Sequence, residues 1–128
     1  MALEAGLQAA LVHVVAAEDT AAAVGSGDVP VLATPRLLAL AEAACIAALG
    51  YGTLAGTSTT VGTRVELEHL LALPVGETVR VAARLDHLDG RLLRFEVVAT
   101  DDGDRLVARA VITRVLVDRE RFLARTRH

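Results

Sequence analysis

The sequence predicts an α+β domain in which an antiparallel sheet curls round one central helix. Three observations predict it. Residues 34–50 are apolar, carry helical start and stop signals, and hold almost no charge. Four alternating segments follow, each bounded by turn residues. Across 128 residues, 53% are hydrophobic, enough for one core within one domain spanning 1–128.

The elements follow in order. Residues 9–16 are apolar and valine-rich and read as a strand. Residues 18–24 are alanine-rich and predict one or two helical turns; Gly25-Ser26-Gly27-Asp28 marks a loop. Thr34 then serves as N-cap of the helix, with Pro35 at the first helical position, where a missing N–H costs nothing. Leu37, Leu38, Leu40, Ala44, Cys45, Ile46 and Leu49 carry the apolar run, which ends near Gly50. Arg36 and Glu42 are its only charges, so the helix needs cover on nearly all sides.

Residues 57–70 alternate, with Val61, Val65, Leu67 and His69 on one parity. After the turn Leu73-Pro74-Val75-Gly76, residues 78–88 place Val79, Val81, Ala83 and Leu85 on one face. Asp89-Gly90 is a hairpin signal, and residues 91–100 group Leu93, Phe95 and Val97. Asp101-Asp102-Gly103-Asp104 precedes a last strand over 105–117, and the charged residues 118–128 predict a short surface helix or a frayed end. One buried helix followed by consecutive antiparallel strands is the hot-dog arrangement. A sheet of that kind leaves an edge strand open, so a homodimer, or a tetramer, is expected.

Composition excludes several functions. Net charge is −3 and no basic stripe is visible, which argues against nucleic-acid binding. Aromatics are 2% of the chain, too few for base-stacking platforms. The single cysteine, Cys45, permits no internal disulfide and reads as a small buried thiol. No Cys/His cluster has metal-ligand spacing, so no metal is expected. The apolar stretches are short and interrupted by charge, and Glu4 breaks the N-terminus, which predicts a soluble cytoplasmic protein without membrane contact.

Three side chains stand out. Glu42 is a lone carboxylate within an apolar helix, where burial raises a carboxyl pKa unless a cation or donors offset it. A general base needs such tuning; the alternative is a solvated or arginine-paired glutamate. His69 shares the inward parity of its strand and would meet Glu42 between helix and sheet, or be a core histidine satisfied by a carbonyl. Thr34 lies eight residues before Glu42, at a helix N-terminus that favours developing negative charge. Gly62 reads as a bulge, or as a point of close ligand approach through its main chain, since its parity opposes that of His69. Arg36, Arg64 and Arg80 are candidates for cofactor-phosphate contact, while His13, His87 and His128 are weak candidates for any role.

These stretches resemble the fluoroacetyl-CoA thioesterase family of hot-dog thioesterases, over residues 28–122. The helix from Thr34 to Cys45, with its Glu42-x-x-Cys45, is similar to the family's central helix. Gly62-Thr63, His69 and Leu73-Pro74-Val75-Gly76-Glu77-Thr78-Val79 are similar to its strand, turn and strand; Asp89-Gly90-Arg91 and the tail over 114–122 also fit. The resemblance implies Thr34, Glu42 and His69 as catalytic groups and Gly62 beside the thioester carbonyl. The aromatic lid of the fluoroacetyl-selective member has no counterpart in residues 24–33, so the resemblance implies thioester hydrolysis but does not extend to fluoroacetyl selectivity.

The expected activity is hydrolysis of a small acyl-CoA to free acid and CoA, with coenzyme A present only as part of the substrate. Thr34 would be the nucleophile or hold the attacking water, His69 its base or acid, and Glu42 the group that orients His69 or activates the water. The alternatives are a non-catalytic acyl-CoA or small-ligand binder and an enoyl-CoA hydratase on the same fold.

Overall fold

A computed structural model describes residues 3–50 and 52–127. His128, a weak candidate above, lies outside them. Strand β1 (Gln8–Val14) leads through a 3-10 turn (Ala17–Asp19) and the single turn α1 (Ala21–Val24) to the long helix α2 (Thr34–Leu49). Four strands follow: β2 (Ser58–His69), β3 (Thr78–Asp89), β4 (Leu92–Asp101) and β5 (Leu106–Asp118), then a short helix α3 (Arg119–Arg125). Among the described residues no helix is long and apolar enough to cross a membrane.

The sheet is antiparallel throughout, in the order β1-β3-β4-β5-β2. The strand that directly follows α2 is therefore an edge, and β1 is the other. Alternation buries Val79, Val81, Ala83 and Leu85 of β3 and Leu93, Phe95, Val97 and Ala99 of β4 against the helix. From α2, Leu37, Leu40, Ala41, Ala44, Cys45, Ala48 and Leu49 face them, at the three- and four-residue spacing of one helical face.

The helix is covered on one side only, which corrects the expectation of cover nearly all round. Ala39, Ala43, Ile46 and Ala47 are exposed, Ile46 at 54%. Five strands curl over one face of α2, and among the described residues of one chain nothing lies over the exposed alanine side.

Two local features also differ from the sequence reading. The N-cap is Ala33, whose carbonyl accepts the first helical bond from Leu37, so Thr34 is the first helical residue and its side chain caps nothing. In β2 the bulge read at Gly62 is present, Gly62 pairing with Arg114 and Arg64 with Thr113 and Thr63 left as the extra residue, but the parity carried through it is not. This bulge shifts the parity. Thr60, Gly62, Leu67 and His69 all pair with inward residues of β5, and Val61 falls on the opposite face.

Candidate active site

The bulge decides which groups meet. Beyond it, Leu67 and His69 point inward toward the start of α2; before it, Gly62 points inward at mid-helix. The predicted residues fall accordingly into two pairs.

The first pair is Thr34 and His69. Thr34 Oγ1 lies 2.8 Å from His69 Nδ1. Because Ala33 supplies the cap, the hydroxyl is available for this contact. Burial pulls the imidazole pKa below its usual 6.5, opposed by a weaker interaction with the Leu71 backbone. The ring is therefore neutral at neutral pH. Its Nε2 is buried, and no contact to it among the described residues meets hydrogen-bond geometry, the Leu71 carbonyl included. A neutral ring with its hydrogen on Nε2 presents a free lone pair to the Thr34 hydroxyl.

The second pair is Glu42 and Gly62, joined by a residue the sequence reading missed. Arg114 of β5 points inward and is 6% exposed. Its Nη1 donates to Glu42 Oε2 at 3.1 Å, its Nε to Thr60 Oγ1 at 2.9 Å, and its Nη2 to the Thr60 carbonyl at 3.0 Å. Of the two outcomes the sequence left open for Glu42, arginine pairing is the one present. Three donors commit Arg114, so the guanidinium is a fixed countercharge rather than a mobile surface cation.

Gly62 gives this pair its room. A Cβ there would sit 2.8 Å from Glu42 Oε2 and 3.4 Å from Arg114 Nη1. The parity argument had limited Gly62 to a main-chain role on the outer face. The bulge turns it inward, and its missing side chain is what the carboxylate occupies.

The two pairs do not meet within one chain. Thr34 and Glu42 are eight residues apart on α2, a rise of about 12 Å. No hydrogen bond joins Glu42 to His69 among the described residues. The expectation that acid and imidazole touch between helix and sheet is corrected: Glu42 contacts Arg114, and His69 contacts Thr34.

The remaining candidates are placed as follows. Arg36 gives its Nε to Asp19 at 2.8 Å. Arg64 is 73% exposed at its side chain and pairs with Glu66 at 2.8 Å on the outer face. Arg80 stands on the outer face of β3, between inward Val79 and Val81, and is not at this site. Cys45 is fully buried, and burial pushes its thiol up to about 12, with Arg114 opposing, so it is inert as a nucleophile. His13, read from sequence as lacking a partner, lies 2.7 Å from Asp19, whereas His87 is exposed. No three His, Cys, Asp or Glu side chains cluster to hold a metal among the described residues.

Comparison with known proteins bears on the family and the fold. The family model for fluoroacetyl-CoA-specific thioesterase matches residues 15–120. A fluoroacetyl-CoA thioesterase from Streptantibioticus cattleyicolor is 33% identical over 97 residues, covering 76% of this chain and 68% of that protein. A solved variant of a fluoroacetyl-CoA thioesterase in complex with acetyl-CoA superposes with a TM-score of 0.89 at 27% identity, covering 98% of this chain and 97% of the other. A hot-dog-like protein from Thermanaerovibrio acidaminovorans, 21% identical, shares the fold at a TM-score of 0.85 over 95% of this chain and 89% of its own. A hot-dog sheet wrapped on α2, with that family's match running from Val15 to Glu120, leaves one assignment: this chain belongs to the fluoroacetyl-CoA-specific thioesterase family.

Proposed function

We propose that this protein hydrolyses small acyl-CoA thioesters, with Thr34 and His69 at the reacting carbonyl and Glu42, held by Arg114, on the hydrolytic water. The observation that carries the proposal is the 2.8 Å contact between the Thr34 hydroxyl and the neutral His69 ring. Attack on the thioester carbonyl, by the Thr34 oxygen or by a water that Thr34 holds, delivers a proton to Nδ1. First-turn N–H groups of α2 favour the oxyanion. The C–S bond then breaks, and the same proton passes to the departing thiolate, giving CoA and the acid after attack by water, or CoA and an acyl-threonine after attack by Thr34. In the second case Glu42 draws the proton from the water that cleaves the acyl-threonine, and a proton returns to the leaving Thr34 oxygen to release the acid.

Two halves about 12 Å apart on α2 need a partner to close one site. The open edge of β2 and the exposed apolar face of Ala39, Ala43 and Ile46 favour a second copy, paired antiparallel along β2. Such a two-fold arrangement carries the Glu42 end of one copy toward the Thr34 end of the other. The pantetheine arm then lies along the seam. Within one copy, the space between α2 and the sheet lined by Leu37, Ala41, Leu67 and Ala108 is only about 10 Å³, which leaves no room there for a long acyl chain. Such a space holds at most one water. The lone buried cysteine suits a reducing cytoplasm.

The test is free-thiol release across a panel of acetyl-, fluoroacetyl-, butyryl- and longer acyl-CoAs. Turnover on the short substrates is expected, falling about a hundredfold or more in His69→Ala. Activity should be lost as pH drops through a His69 pKa lying below 6.5, because protonation removes the base. Binding without thiol release would leave a carrier on the same fold. Absorbance change with crotonyl-CoA, again without thiol, would make it a hydratase.

A further inference from the structure

A second polar cluster lies outside the pairs described above. Asp19 ends the 3-10 turn with its side chain 3% exposed, and both carboxylate oxygens are engaged. Oδ1 accepts from Arg36 Nε at 2.8 Å. Oδ2 accepts from the Ala16 N–H at 2.8 Å and lies 2.7 Å from His13 Nε2. The Asp19 main-chain carbonyl accepts from the Ala33 N–H at 2.9 Å.

These contacts hold α2 at two points, Ala33 by the main chain and Arg36 by the side chain. Thr34 stands between them. The other end of the cluster is fixed to the sheet, because His13 is an inward residue of β1 opposite fully buried Val79. His69, by contrast, arrives from β2 at the far edge of the sheet. The distance from Thr34 to His69 therefore depends on where the first turn of α2 is set. Helix ends fray unless something ties them, and the Thr34 side chain makes no capping bond of its own.

We propose that Asp19 is a positioning residue whose two-point grip on Ala33 and Arg36 sets the Thr34 hydroxyl against His69. The proposal rests on the thioesterase reading of that pair. It also assigns Arg36 to Asp19 rather than to a phosphate of coenzyme A. The main-chain arm survives any substitution of Arg36, so the side-chain arm can be removed alone.

The experiment compares wild type, Arg36→Gln, Arg36→Lys and Asp19→Asn by steady-state thiol release and by NMR titration of the His69 ring, assigned with His69→Gln. The Arg36 side chain is 35% exposed, so Arg36→Gln keeps the test open should Asp19→Asn fail to fold. In Arg36→Gln, kcat is expected to fall about ten- to a hundredfold with KM nearly unchanged. The His69 titration midpoint should move as its threonine partner shifts. Arg36→Lys, which keeps a cation for Asp19, should recover most of both. A raised KM at unchanged kcat would return Arg36 to the substrate and overturn the proposal. An unmoved His69 titration in Arg36→Gln would overturn it too, and that measurement needs no substrate. Absence of thiol release from wild type would instead refute the hydrolase reading, leaving the NMR result to decide the positioning role.

Discussion

Thr34 shows how one hydroxyl can carry two incompatible readings. A threonine before proline is a good helix cap, and a cap needs no further purpose. Ala33 occupies that position, so replacing Thr34 removes no capping bond. Thr34→Ala should therefore change unfolding free energy by less than about 0.5 kcal/mol. Thiol release should fall about a hundredfold in the same variant. Denaturant melts and the thiol assay, run together, check both halves. A stability loss near 1 kcal/mol, typical of a lost cap, would restore the bland reading. Glu42 and His69 stood out because each is a polar group among apolar neighbours of its own face, and Thr34 because it opens the helix. Arg114 and Asp19 did not. Strand arginines were read as solvated, although Arg114 shares its parity with Ala110 and Ile112, the signal that would have found it. Asp19 lies in a short irregular piece with no periodicity to show which way it points.

Elements were read more securely than their phase. The sequence places the long helix over 34–50 and the structure has α2 at Thr34–Leu49; all five strands and the charged C-terminal helix also appear. Alternation in residues 57–70 looks unbroken, yet Thr63 interrupts it. Gly62 signals a bulge, but Val61 and Val65 keep an apparently continuous parity across it, so the pattern does not show that the faces change there. The consequence falls on Gly62. In Gly62→Ala the new methyl would stand 2.8 Å from Glu42 Oε2, and the carboxylate, as the free end of a flexible side chain, would give way before the strand does. Folding stability should change by no more than about 1 kcal/mol. Turnover should drop about tenfold or more as Glu42 leaves Arg114, since small misplacements cost rate steeply. A crystal structure of the variant with Glu42 unmoved would contradict this account.

At the scale of the molecule, the sheet order was beyond the sequence. Periodicity assigns faces, but it does not say that β2 pairs with β5 at one edge while β1 takes the other. That order follows from the crossover over α2, and it leaves β2 and the alanine side of the helix open together. Acid stability is also a property of the whole chain. Burial pushes the Asp19 carboxyl up, but the Ala16 N–H, His13 and Arg36 outweigh it and lower the pKa from 3.8 to about 2. A carboxylate depressed on folding stabilises above its unfolded pKa and loses that contribution as pH falls through the folded one. The shift corresponds to about 2 kcal/mol, present at neutral pH and lost between roughly pH 5 and 2. Asp19→Asn should thus be less stable than wild type at pH 7, with the gap closing toward pH 2 in denaturant melts. A gap that stays constant with pH would mean that packing, not charge, holds the cluster.

The extra residue in β2 has a last consequence for how this strand tolerates change in length. Insertions or deletions of two residues between Gly62 and His69 keep both on the inner surface and merely slide them along it. A change of one elsewhere in the stretch swaps inside for outside at one end, turning either the imidazole or the glycine gap toward solvent, whereas loss of Thr63 itself restores plain alternation and keeps both inside. Drift in length is therefore confined to even steps and to the single bulged position, the one place where an odd step is absorbed.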